Sequence, residues 1–353
     1  LATQPQQYAP PGGTPLLKGA LAQHAATFAR VPVDPDAGVL VTTGATEALA
    51  AAILGLIRPG DEAVIIEPAY DSYAPLVRAA GGAVVPLRLV AGSGWALPPA
   101  AQVAAAFSPR TRLLLLNTPH NPTGKAFTPA ELEVLADAVK AAGPGCVAVC
   151  DEVYEHLAHP PTPHTSLASL PGMAARCLRI GSAGKTFSMT GLKVGWVTGP
   201  PPLVAAAARC HQFLVFCVPP ALQAGVVEGL THECAFIASL GPTLAAKQAL
   251  LARCLARAGF AVLPGDATYF LIADAAALMT PDEDDVSFCQ RMVARAGVAA
   301  VPASPFYFAR AAVPAPRTLV RFCFCKQDAV LQAAGERLEA YFGEGGGGRA
   351  RGG

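Results

Sequence analysis

Six short apolar runs, separated by stretches with helical spacing, limit most strongly what this chain can become. They are VLVTT (39–43), AVIIE (63–67), LLLLN (113–117), CVAVCD (146–151), CLRIGS (177–182) and VGWVTG (194–199). A strand covered by helices on both faces needs apolar side chains at nearly every position, and these runs have that texture. Strand-like runs alternating with helical patterns predict βαβ units around a mainly parallel sheet, an α/β architecture. In TEALAAAILGLI (46–57), Leu49, Ile53, Leu56 and Ile57 share one helical face. Thr128-Pro129-Ala130-Glu131 opens another helix, with Thr as N-cap, Pro in the first turn and Glu three residues after the cap. That helix is expected to end near Ala142, before Gly143-Pro144.

The texture changes beyond about residue 246. An Ala/Leu/Arg helix (roughly 243–258) leads into FAVLPGDATYFLIAD, an acidic segment, a helix near 285–296 and GVAAVPAS. This predicts a smaller α+β domain with its own sheet. The expected division is an N-terminal segment 1–27, a large domain 28–245, a small domain 246–342 and a Gly-rich tail 343–353, which reads as disordered.

At 353 residues the chain is long enough for two domains. Its 52% apolar content owes much to Ala, and no stretch approaches the ~18 consecutive strongly apolar residues of a bilayer span. The formal net charge of +1 gives no electrostatic case for nucleic acid or an anionic membrane, so a small-molecule partner is expected. The ten cysteines form no CxxC pair and no CxxC…HxxxH pattern, so no metal site is expected and reduced thiols are. The first residue is Leu1 and no secretory pattern follows it. The N-terminus therefore reads as incomplete; a cytoplasmic protein is expected, with an organellar leader left open.

Several motifs at strand ends carry chemistry, and ligands of open α/β sheets bind there. VTTGATEAL (41–49) reads as strand, Gly turn and helix, with the Ala45 and Thr46 amides able to face an anion. EPAYDSY (67–73) puts Tyr70 at the rim, although Tyr70 and Tyr73 taken separately read as packing residues. In NTPHNPTG (117–124) two X-Pro bonds make a rigid loop that aims Asn121 inward. CDEVYEH (150–156) ends a buried run on Asp151. That acid needs a partner, either a protonated pyridine nitrogen or the helix start that follows. Tyr154 lies three residues on. In SAGKTFSMTGLKVGW (182–196), Ser182 and Lys193 are within reach of a phosphate. Lys185, set among small and hydroxyl residues, suits attack on an aldehyde. RFCFCK (321–326) sets Arg321 at the start of a late strand, where a guanidinium can bind a carboxylate bidentately or form a structural ion pair. A lysine, a buried acid, anion donors and an aromatic cover are what an enzyme needs to use a phosphorylated aldehyde as an electron sink.

In this order the segments resemble the class I, fold-type I pyridoxal-phosphate aminotransferases. The likeness is to the kynurenine aminotransferase, glutamine transaminase K and methionine aminotransferase group. It runs from QYAP (7–10) to AGERL (334–338) and includes TGATEAL, YDSYAP, NTPHNPTG, DEVYEH, GSAGKTFSMTGLKVGW, HQFLVF, TYFLIAD, GVAAVPAS and RFCFCK. The resemblance implies that Lys185 attaches to the pyridoxal 5'-phosphate aldehyde and then shuttles a proton. It also implies that Asp151 holds the ring nitrogen, that Asn121 and Tyr154 bond the ring oxygen, and that Tyr70 stacks on the ring. Ala45, Thr46, Ser182 and Lys193 would hold the phosphate, with Tyr8 contributed from the second subunit of a homodimer. Arg321, helped by Asn121, would bind the substrate carboxylate beside Phe216. The implied substrates are an L-amino acid and a 2-oxo acid, exchanged by a ping-pong mechanism.

Three departures bear on this. The family's N-terminal arm precedes the QYAP-like segment, and it is not present here. Cys217 follows Phe216 where kynurenine-specific members carry histidine, and Thr46 stands where they often carry an aromatic. These weaken kynurenine as the preferred donor and leave methionine, glutamine and aromatic amino acids open. Two rivals are a cysteine-S-conjugate β-lyase acting at the same site and a catalytically impaired cofactor binder.

Overall fold

The computed structural model describes residues 7–308 and 314–343; the tail expected to be disordered lies, from residue 344 on, outside them. All six apolar runs form strands, and a seventh joins them. These are β1 (Val39–Thr42), β2 (Glu62–Glu67), β3 (Ala83–Arg88), β4 (Thr111–Asn117), β5 (Val147–Asp151), β6 (Cys177–Ser182) and β7 (Gly195–Thr198). Their order in the sheet is β1-β7-β6-β5-β4-β2-β3. The strands β1, β2, β6 and β7 are buried at every position, as helices on both faces require. The strand missing from the sequence reading, β3, is one of the two edge strands; only Leu87 of its residues is buried and it contains Pro86, so its local apolar signal is weak.

The strand β7 runs antiparallel to both neighbours. The link from β6, residues 183–194, holds only the four-residue helix Ala183–Thr186 and one 3-10 turn, Thr190–Leu192, with no crossover helix to carry the chain back. This reversal keeps the whole link at the carboxyl edge of the sheet, where β1, β2, β4 and β5 also end.

The helices form where the spacing predicts. Gly44–Leu56 buries Leu49 and Ile53 on the sheet. Pro129–Ala141 opens on the expected capping box, Thr128 and Glu131 each bonding the other's backbone N–H. Helix Pro15–Thr27, set apart above as an N-terminal segment, buries Leu17 and Leu21 in one cluster with Val39, Val41 and Trp196.

A second, antiparallel sheet follows, with β8 (Ala261–Val262), β9 (Phe270–Asp274), β10 (Val301–Pro302) and β11 (Leu319–Cys323) in the order β10-β11-β9-β8. Phe260 meets Phe288, Phe322 and Phe342 edge to face at 5.5–6.0 Å, joining this sheet to helices Asp285–Ala296 and Asp328–Phe342. Truncating such a phenylalanine to Ala costs about 3–5 kcal/mol. The small sheet's core is continuous with that of the large sheet.

The helix expected at 243–258 is longer, Cys234–Arg257, with Pro242 inside it. The interior proline made the first turns read as a separate element. By length and apolarity this helix matches a bilayer span. Yet it packs on helix Asp328–Phe342, and its Lys247 pairs with Asp328 at 2.6 Å.

Candidate active site

The carboxyl ends of the large sheet enclose a pocket of about 260 Å³. Ala45, Thr46, Tyr70, Asn121, Asp151, Tyr154, Ser182, Lys185 and Lys193, nine of the residues singled out in the sequence, line it. They come from β1, β2, β4, β5, β6 and the link to β7, so the sheet alone gathers them.

Asp151 ends β5 and is buried. Burial pushes its carboxyl up to about 6, against the opposing pull of the Tyr73 hydroxyl, which donates to Oδ2 at 2.5 Å. The Val153 amide adds a longer bond to Oδ1 at 3.4 Å, so the helix-start partner weighed above is only a weak one. The resulting buried acid carries a charge that the protein compensates incompletely, a state suited to a cationic ligand atom.

Asn117, at the end of β4, braces the neighbouring loop. Its Nδ2 donates to the Asp151 carbonyl at 2.8 Å, and its Oδ1 accepts from the Asn121 amide at 2.7 Å. The Thr118-Pro119 and Asn121-Pro122 bonds are both cis. Asn121 faces Arg321, whose Nη1 donates to its Oδ1 at 2.7 Å. Arg321 sits in the middle of β11 rather than at its start, between the rings of Phe270 and Phe306 at 4.2 and 4.8 Å. Its Nε is buried without a hydrogen-bond partner, and burial lowers its pKa. A guanidinium held flat with a donor unused is ready for a carboxylate.

At the opposite end of the pocket, no side chain caps helix Gly44–Leu56. Gly44 has φ +73°, and a Cβ there would lie 3.2 Å from Lys193 Cε. A Cβ on Gly195 would meet the Gly44–Ala45 backbone at 2.5–2.6 Å. Two glycines thus let the helix start, Lys193 and the Ser182 strand end converge on one cradle. Free amides, a hydroxyl and an ammonium form an anion site. Lys185, on the short helix Ala183–Thr186, donates from Nζ to the Tyr269 hydroxyl at 3.1 Å and lies 5.8 Å from the Tyr154 ring centroid.

Tyr8 and Phe216 do not join this pocket. Tyr8 is 81% exposed and meets Phe216 edge to face at 5.2 Å. The sequence reading took Tyr73 for a packing residue and gave Asn117 and Tyr269 no role. Tyr73 stands three residues after Tyr70, and Asn117 lies inside the quoted NTPHNPTG. Their partners are 78 and 34 residues away, and nothing local indicates the pairing.

A fold of this kind with an anion cradle, a buried acid and an amine defines a class of enzyme, and comparison identifies it. The family model "Aminotransferase class I and II" matches residues 3–338. The solved N-succinyldiaminopimelate aminotransferase of Mycobacterium tuberculosis superimposes with a TM-score of 0.89 at 42% identity, over 95% of this chain and 85% of that one. Methionine aminotransferase of Escherichia coli K12 is 38% identical over 94% of this chain and 83% of its own. Kynurenine–oxoglutarate transaminase 1 of Rattus norvegicus is 37% identical over 95% and 84%. The chain belongs to the class I and II aminotransferases. The family depends on pyridoxal 5'-phosphate, and the pocket's residues fit that group: an anion cradle at one end, a buried acid for a ring nitrogen at the base, and a primary amine between them.

Proposed function

We propose that this transaminase moves the amino group of an L-amino acid to a 2-oxo acid in two half-reactions at this pocket, by a ping-pong mechanism. The observation that carries the reading is the single pocket holding Lys185, Asp151 and Lys193, with Arg321 joined to it through Asn121. The cofactor supplies an electron sink for the bond broken at the substrate's α-carbon. Lys185, through its free amine, would take the proton from the substrate's α-carbon and later give it back, a role needing a base within hydrogen-bond reach. Asp151 keeps the ring nitrogen protonated, its own charge held ionised by Tyr73 and by that proton. Tyr70 would cover the ring, and Tyr154 and Asn121 would bond its oxygen. Arg321 holds the substrate carboxylate by paired N–H bonds and so sets which bond of the α-carbon stands over the ring.

The proposed assembly is a cytoplasmic homodimer. Tyr8, exposed and resting on Phe216 in its own chain, would be contributed to the partner's phosphate site. The donor is methionine, glutamine, kynurenine or an aromatic amino acid, with Cys217 and Thr46 weakening the case for kynurenine as the preferred one.

The test is a visible spectrum of the cofactor-loaded protein before and after methionine, glutamine, kynurenine, phenylalanine and N-succinyldiaminopimelate. Loss of the aldehyde-form band with an amino acid, and its return with a 2-oxo acid, is the expected result and ranks the donors. A band that none of them shifts would overturn transamination. Release of pyruvate from a cysteine S-conjugate without such cycling would favour elimination instead.

A further inference from the structure

The strand end and turn from Asp151 to His156 present two faces. Asp151 and Tyr154 line the active-site pocket, whereas Glu155 and His156 line a separate cavity of about 890 Å³ that His24, Phe28 and His164 also border. Glu155 Oε2 accepts from Arg179 at 2.8 Å, which leaves Oε1 pointing to two imidazoles. His24 Nε2 is 3.0 Å from Oε1, and His156 Nε2 is 3.7 Å from it. One ligand atom of each of the three residues lies within 4.8 Å of the others. A tetrahedral ion with ~2.1 Å bonds sets its ligands about 3.4 Å apart, between those two separations.

His156 shows that this is more than packing. Its side chain is 2% exposed, and neither ring nitrogen has a hydrogen-bond partner. Phe28 lies 4.4 Å from the His156 ring and stacks on His24 at 5.2 Å, which accounts for the faces of the imidazoles but not for their nitrogen edges. Around His156 the ionised groups are Glu152, Glu155 and Arg179, a surplus of one negative charge when the histidines are neutral. His164, 3.4 Å from Glu152, is the remaining titratable neighbour. Glu152 is the poorer ligand, since Ser166 and Arg179 occupy its two oxygens at 2.6 Å each.

We propose that His24, Glu155 and His156 form a binding site for a borderline divalent cation of the zinc type, its fourth position open to the 890 Å³ cavity. Arg179 orients Glu155 as an outer-shell partner. The ion ties helix Pro15–Thr27 to the segment that carries Asp151 and Tyr154, while lying on the opposite side from the cofactor pocket. The ligands stand at positions 24, 155 and 156, which is why no spacing motif announced them.

Cofactor-loaded protein would be stripped with a chelator, incubated with zinc chloride, freed of excess by gel filtration and assayed for metal by mass spectrometry. One zinc retained per chain and a raised melting temperature are expected. H24Q and H156Q should each weaken binding by more than the roughly 10–100-fold that loss of an outer-shell partner costs. H24Q, at the exposed edge of the cluster, serves if H156Q fails to fold, and an unchanged cofactor spectrum verifies the pocket. Cys323 and Cys325, whose sulfurs lie 3.2 Å apart, are the other place where zinc could lodge, and the C323S/C325S double variant should retain its zinc. No zinc in the wild type, zinc undiminished in the folded histidine variants, or zinc lost with the two cysteines would each overturn the assignment.

Discussion

Within six residues this protein handles buried acids in two opposite ways. On the cofactor face, burial raises Asp151 to about 6, and a neutral phenol is its shortest hydrogen-bond partner. On the other face, burial acts on Glu152 and Glu155 as well. There Arg179 and His164 bring Glu152 below its ordinary value, and His24, His156 and Arg179 hold Glu155 well below the usual carboxylate range. The difference lies in the partners, not in depth. Among the described residues, the cofactor face leaves its acid without a paired cation, whereas on the other face one guanidinium, Arg179, pairs with both carboxylates.

The largest test of this contrast removes the pocket's amine. Lys185→Ala should lower turnover by roughly 10⁴-fold, the upper end for a positioned acid–base group. Its urea midpoint should change little, since what the variant loses is a part-buried hydrogen bond to the Tyr269 hydroxyl. A large fall in stability with modest loss of turnover would make Lys185 structural. Next, Arg179→Met should cost about 3–5 kcal/mol in urea unfolding, because two buried carboxylates lose their shared cation. A cost below ~1 kcal/mol would show that those acids are neutral.

Asp151→Asn should have the opposite sign in cofactor-free protein. The folded state holds the Asp151 proton more tightly than the unfolded chain, whose value is near the ordinary 3.8. The contribution is therefore fully present below about pH 4 and is lost as pH rises through 6. At pH 7 the Asn variant should be more stable by up to about 3 kcal/mol, yet bind cofactor more weakly; urea titrations at pH 4 and 7 measure both the sign and the window. Equal stability at both pH values would mean that the acid is already compensated. The smallest effect is expected from Tyr73→Phe, about 1.5 kcal/mol for one hydrogen bond to a charged group. Because the Tyr73 hydroxyl lowers the Asp151 pKa, its loss should move the acid limb of cofactor binding to higher pH. An unmoved limb would separate Tyr73 from the acid's titration.

Much of the fold was legible because local patterns encode it. The six runs became strands, and the capping box at Thr128 and Glu131 set a helix start through bonds three residues apart. The edge strand β3 and the proline-containing first turns of Cys234–Arg257 were not legible, since a partly solvated strand and an interior proline both blur the local signal. Of the site, the residues that carry unusual chemistry at strand ends could be picked out, and nine of them meet in one pocket. Arg321 was found but placed two residues from the strand's true beginning. The supporting residues Tyr73, Asn117 and Tyr269 look like ordinary polar or aromatic positions until their partners are known.

By itself, then, the sequence determined the succession of strands and helices and the inventory of reactive groups, because backbone preference and apolar period act over a few residues. Only the tertiary structure decided which charges are paired. Tyr73 meets Asp151 across 78 residues, His24 meets Glu155 across 131 and Arg321 meets Asn121 across 200. Whether a buried acid is raised or lowered depends on the groups that such distant contacts bring within a few ångströms, in a medium too apolar for water to screen them.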